Sequence, residues 1–138
     1  MARIKISKEK IDSFTQSRSL VDPAWYGCRI SKHEIRPSKK DKSTTYRFTF
    51  TVIPKGNPEH DANVGRQFLK VFSEKFLEAM GPMLEALGAK AGADGNYDVD
   101  PDACVGKELD VYVKRGRNAD NDEPTNEVSD FKPLEKRA

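Results

Sequence analysis

Cysteine and histidine are scarce. The 138 residues include two cysteines, Cys28 and Cys104, and two histidines, His33 and His60. There is no CxxC, and neither pair has metal-ligand spacing, so a zinc site or a redox dithiol is not expected. The Asp-rich segment 94–102 lacks the Asp/Asn-Gly-Glu register of an EF-hand loop, and His33 beside Glu34 lacks the partners of a general base. No metal, no cofactor and no catalytic residue is expected. Long apolar runs are missing as well. Nothing is long enough to span a bilayer, and no apolar stretch follows the basic start MARIKISKEK to make a signal peptide. The expectation is a soluble cytoplasmic protein without a membrane partner, its cysteines packed as small apolar residues rather than bridged.

Apolar residues are few overall, at 36%, while 33% are charged. That suits one domain with a small core and long polar loops or arms. The net charge of +2 hides an asymmetry. Residues 1–47 carry 12 Lys/Arg against 5 Asp/Glu, a net of +7, and residues 48–138 carry 12 against 17, a net of −5. Such a distribution permits a local positive field that a polyanion would feel, or simply a basic arm and a solvated acidic loop.

Residues 1–20 have weak periodicity and read as a basic arm with a short helical turn around 8–14. PAWYGCRI (23–30) alternates as a strand and is followed by a polar loop over 31–45. YRFTFTVI (46–53) puts Tyr46, Phe48, Phe50 and Val52 on one face and Arg47, Thr49 and Thr51 on the other. GRQFLKVF follows a Gly/Pro/Asn-rich loop and supplies a third strand. The period then changes: Phe76, Leu77, Met80, Met83, Leu84 and Leu87 recur at helical spacing, capped by Ser73, broken at Gly81-Pro82 and ended by Gly88. KELDVYVKR (107–115) and NEVSDF (126–131) complete the strands, leaving the domain at 21–134 and a tail at 135–138.

The order β-β-β-α-β-β predicts a mainly β fold, a five-stranded Greek-key barrel with one helix, the OB-fold. A half-open α+β sandwich fits the same order. If Tyr26, Cys28, Ile30, Phe48, Phe50, Val52, Leu69, Val71, Leu109, Val111 and Val113 point inward, the opposite faces carry Trp25, Arg29, Arg47, Arg66, Phe68, Lys70, Tyr112 and Lys114. Asp110 is then the one acid among them. Aromatics interleaved with cations suit single-stranded nucleic acid, whose bases stack on rings and whose phosphates follow a basic groove. Lys32, Arg36, Lys39, Lys40 and Lys42 in the first loop, with Arg115 and Arg117 in the last, would frame that groove. Each candidate has a competing role: Trp25 as a rim or core residue, Phe68 packed under a loop or at a dimer contact, the loop lysines as solubilising charge. Phe48, Phe50 and the helix stripe Phe76, Met80, Leu84 and Leu87 are assigned to the core.

PAWYGCRI, YRFTFTV, GRQFLKVF and the late VGKELDVYVKRG with NEVSDFKPL resemble the OB-fold single-stranded-DNA-binding proteins of bacteriophages, over about residues 20–134. The resemblance implies sequence-independent binding that coats single-stranded DNA during replication or recombination, often as a homodimer or cooperative array, in the host cytoplasm. Many such proteins end in an acidic tail that recruits replication partners; this chain ends KPLEKRA, so the resemblance does not extend to that tail. Single-stranded RNA is the same-fold variant. From other classes, a protein-interaction adaptor would use Trp25, Phe68 and Tyr112 as its interface. A small nuclease would need clustered carboxylates on the basic face, and only Asp110 offers one.

Overall fold

Alternating aromatic and β-branched residues build two antiparallel units that share one long strand. The computed structural model describes residues 3–9, 11, 20–38, 42–117 and 124–135. Strands β1 (Ala24–Pro37), β2 (Thr44–Val52), β3 (Gln67–Ser73), β4 (Glu108–Arg117) and β5 (Pro124–Lys132) form a single antiparallel sheet in the order β3-β2-β1-β4-β5. Two short helices, α1 (Pro58–Asp61) and α2 (Gly81–Ala86), lie between β2 and β3 and between β3 and β4. The sheet is open. Its edge strands β3 and β5 approach each other, but no hydrogen-bonded ladder joins them as it would in a closed barrel. Among the described residues no helix is long and apolar enough to cross a membrane.

β1 is much longer than its apolar alternation suggests. The expected loop over 31–45 contracts to the hairpin end between Pro37 and Thr44. A bulge lies at Ser31, where pairing steps from Ile30↔Phe50 to Lys32↔Thr49, and the ladder then continues to Pro37↔Thr44. The β-branched and aromatic run Thr44, Thr45 and Tyr46 supplies the partner strand, and Thr45 Oγ1 donates to the Arg36 carbonyl at 2.6 Å. Lys42 turns the hairpin end with a φ of 60°.

The inner face holds Tyr26, Cys28, Ile30, Phe48, Phe50, Val52, Leu109, Val111 and Val113 as expected, joined by Val128. On β3 the expected parity is reversed. Phe68 and Phe72 are buried, whereas Leu69 is 50% and Val71 42% exposed. The β2–β3 register sets Phe68 opposite Phe50 and Phe72 opposite Tyr46, so the two phenylalanines join the aromatic face of β2. They bury more apolar surface than Leu69 and Val71 would.

The helical stretch breaks at Gly81 as expected, into a 3₁₀ segment (Glu74–Met80) and α2. Ser73 caps the first by accepting from the Lys75 N–H, and Gly88, at φ 85°, ends the second. Phe76 does not join the core. Its backbone leaves helical values (φ −137°, ψ 50°), which rotates the ring outward to 68% exposure, while Met80, Met83 and Leu84 are buried.

One buried ion pair ties the outer face together. Lys55 Nζ lies 2.8 Å from Asp110 Oδ1, and the Glu135 backbone N–H donates to Asp110 Oδ2 at 3.2 Å. Asp110 is fully buried. The Lys55 stem and Leu134 close over Gly27, where an added Cβ would sit 2.7 Å from Lys55 Cδ and 3.1 Å from Leu134 Cδ1. Glu135, the first residue of the expected tail, is therefore anchored to the domain.

Candidate nucleic-acid interface

Strand register decides which predicted residues share a surface. Directly opposed residues face the same way. Trp25↔Tyr112, Arg29↔Thr51, Lys32↔Thr49, Glu34↔Arg47 and Arg36↔Thr45 therefore all lie on the outer face. The bulge at Ser31 switches the parity of β1, so Lys32, Glu34 and Arg36 continue the face begun by Trp25 and Arg29. The β1–β2 half of this face carries four cations, Arg29, Lys32, Arg36 and Arg47, against the single carboxylate of Glu34, with hydroxyls from Thr45, Thr49 and Thr51 between them.

The cations are arranged rather than loose. Glu34 is bonded to Lys32 and, at 2.6 Å, to Arg36 Nε; the Lys32 contact first, then the charges of both cations, hold its carboxyl below the usual carboxylate range. Arg29 pairs with Glu108 at 2.8 Å. Arg47 is half-buried, and its Nε has no hydrogen-bond partner among the described residues. At the other end of the face, Trp25 meets Tyr112 edge-on, with ring centroids 5.4 Å apart, and the Lys132 ammonium stands 4.6 Å over the indole. Trp25 is 36% exposed. Beside it opens a cleft of about 270 Å³ whose polar lining includes Asn57, Asn63, His60, Asp22 and Glu59. The ridge of Lys55 and Leu134 separates this aromatic end from the basic strip.

Several predicted site residues fall elsewhere. Phe68 is 2% exposed, with Tyr26 5.7 Å away ring to ring, so the expected platform Arg66-Phe68-Lys70 is not on the outer face. Lys70 shares the inner parity and lies half-buried, its ammonium 5.9 Å from the Phe72 ring. Arg66 precedes β3, and its Nε is buried. The adaptor surface built on Trp25, Phe68 and Tyr112 loses Phe68 to the core. Lys114 is exposed on the outer face opposite Glu127, whereas Arg115, of the other parity, lies 3.7 Å from Asp22; Arg117 ends β4. Lys42 sits in the hairpin turn, and Lys39 and Lys40 lie outside the described residues. The expectation that this face holds almost no acid is also corrected. Glu34 is brought there by the Ser31 bulge and Glu127 and Asp130 by the β5 register, while Glu108, opposite Arg29, simply shares the β4 alternation of Asp110 and Tyr112.

The sequence did not suggest the role of His33. Its side chain is 1% exposed, its Nδ1 lies 2.7 Å from Asp102 Oδ1, and its ring packs on Phe48 at 4.7 Å and Tyr46 at 6.0 Å. Its Nε2 is enclosed and has no hydrogen-bond partner among the described residues. His60 accepts the Gly27 N–H on Nε2 at 2.9 Å and so presents Nδ1–H to Asp61 at 2.8 Å. Both cysteines are free and buried, and burial pushes both thiols up. Among the described residues no group of three His, Cys, Asp or Glu side chains could hold a metal ion. No protein-family model matches the chain, and no curated protein matches it.

Proposed function

We propose that this protein binds single-stranded DNA without sequence preference along the outer face of β1 and β2, with no catalytic step. The observation that carries the proposal is the basic strip of Arg29, Lys32, Arg36 and Arg47, interleaved with threonine hydroxyls and ending toward the Trp25–Tyr112 pair. Phosphates would replace Glu34 and Glu108 as partners of the surface cations, since exposed ion pairs are worth only ~0–1 kcal/mol each. A base would stack on Trp25 as the Lys132 ammonium swings from the indole toward a phosphate. The fold reading that goes with this is an OB architecture whose β3–β5 seam stays unlaced. Three features support it: β1 pairs with both β2 and β4, the two edge strands approach, and the helical segment falls between β3 and β4. The proposed setting is the coating and protection of DNA during phage-type replication or recombination in a host cytoplasm, alongside proteins of those processes.

The test is fluorescence anisotropy of a labelled poly-dT of ~30 nucleotides, long enough for the ~4–16 nucleotides one OB-fold covers, with duplex and poly-rU as competitors. Four phosphate contacts predict a slope of about −3 in log K against log salt. Trp25 is the sole tryptophan, so its emission reports stacking directly. Trp25→Ala should weaken binding by ~1–3 kcal/mol, roughly 5- to 150-fold. Absence of single-strand binding at low salt would overturn the proposal. Preference for poly-rU would move the substrate to RNA.

A further inference from the structure

Away from the basic strip, a groove of about 890 Å³ runs between the far halves of β1 and β2, the 3₁₀ segment, α2 and the loop over 96–102. Its apolar lining includes Ile35, Tyr46, Leu77, Met80, Leu84 and Tyr97. Three of these are open to solvent: Ile35 is 59%, Leu77 46% and Tyr97 38% exposed. The charged groups lining it are all acidic, namely Glu78, Asp100 and Asp102, with His33 already bonded to Asp102. Among the described residues no Lys or Arg lines it.

The chain carries the chemical complement of this groove. Arg3-Ile4-Lys5-Ile6-Ser7-Lys8 is exposed throughout, and residues 3–7 belong to no helix or strand. Ile4 is 85% and Ile6 66% exposed, the most exposed large aliphatic side chains among the described residues. In an extended chain these two isoleucines point to one side, while Arg3 and Lys5 flank them on the other. An apolar pair bordered by three cations matches an apolar floor bordered by three carboxylates.

We propose that this groove docks the Arg3–Lys8 segment of a second copy of the chain. The arm leaves the domain at Val21, whose N–H is held by Asn126 on β5, at the end where β1 begins. The groove lies at the opposite end of β1, where His33 and Ile35 line it. An arm leaving one end of a molecule and entering the far end of the next makes a head-to-tail contact, which extends into an open array rather than closing on a two-fold axis. This contact does not depend on nucleic-acid binding and is tested without it.

The experiment is sedimentation velocity of the full chain over a concentration series at low and high salt, beside the Ile4→Ser/Ile6→Ser variant. It is combined with disulfide trapping between one tagged copy carrying Ile6→Cys and another carrying Leu77→Cys. The native thiols are both buried and do not compete. The expected result is salt-sensitive association that grows past the dimer, weakens about tenfold or more when the two isoleucines are lost, and gives covalent adducts between the two tagged copies. A chain that stays monomeric at every concentration would overturn the proposal, as would association indifferent to the serine variant. So would a combined Ile6→Cys/Leu77→Cys chain that closes only on itself, which would put the arm in its own groove.

Discussion

Phe68→Ala separates the two possible parities of β3 more sharply than any other single change. The ring is 2% exposed, opposes Phe50 across the ladder and packs on Tyr26, so truncation removes a filled position at the centre of the inner face. Phenylalanine-to-alanine changes in cores cost ~3–5 kcal/mol, a large share of the ~5–15 kcal/mol that holds a domain folded. With a urea m-value of ~1–3 kcal/mol/M, a loss of about 4 kcal/mol lowers the unfolding midpoint by roughly 2 M. Leu69→Ala, on the half-exposed side of the same strand, should move it by no more than the ~0.5 kcal/mol typical of surface changes. Urea titrations followed by far-UV circular dichroism measure both. The poly-dT affinity of each variant, measured where it is fully folded, should match the parent. A Phe68→Ala protein of parental stability that has lost DNA binding would refute this placement and restore the ring to an outward stacking role. Equal costs at both positions would mean that the strand is buried on both faces.

Two further changes probe the polar framework. Lys55→Met leaves the buried Asp110 carboxylate, among the described residues, with the Glu135 N–H as its remaining partner, and should cost ~3–5 kcal/mol in the same urea assay, whereas Lys55→Met with Asp110→Leu should recover most of it. A lone Lys55→Met that is neutral would show the pair to be dispensable. Asp61 is held below the usual carboxylate range first by the Lys55 backbone N–H, then by the His60 ring. A depressed carboxyl contributes stability that is present above its unfolded value of about 3.9 and is lost as pH falls through the folded value. Thermal melts should therefore fall less steeply below about pH 4 in Asp61→Asn than in the parent. Parallel acid limbs would rule this contribution out.

The inner faces of β1, β2 and β4 were legible because each carries strong apolar residues at every second position and polar ones between. β3 was not, because both of its faces are apolar at the same period, Phe68 and Phe72 on one and Leu69 and Val71 on the other. Only the pairing with Phe50 and Tyr46 chooses between them. The outer half of β1 was hidden for a different reason. Residues 31–37 show no apolar alternation, and the strand exists through its ladder to Thr44–Thr49. The Ser31 bulge also breaks the count of two that any face assignment relies on, which is how Glu34 arrives beside Arg47. Gly81-Pro82 correctly marked a break in the helical stretch, but not the irregular turn at Phe76 that expels its ring. The His33–Asp102 contact joins positions 69 residues apart, beyond the reach of local pattern.

Glu34 turns the electrostatics of the basic strip into a test of its purpose. A carboxylate in the middle of a phosphate-binding surface looks counterproductive, yet it holds Lys32 and Arg36 in place while no ligand is bound. If the strip serves a polyanion, neutralising this acid removes a competitor for both cations. Glu34→Gln should then tighten poly-dT binding at low salt and steepen the log–log salt slope by up to about 0.7, the share of one phosphate contact on a single strand. The gain should fade at high salt, where screening shortens the reach of every surface charge. If the strip is instead a surface network that stabilises the extended β1–β2 hairpin, the same change should loosen that hairpin and leave binding unchanged or weaker. Anisotropy titrations at two salt concentrations distinguish these outcomes, because only a phosphate-binding surface gains affinity when it loses its own carboxylate.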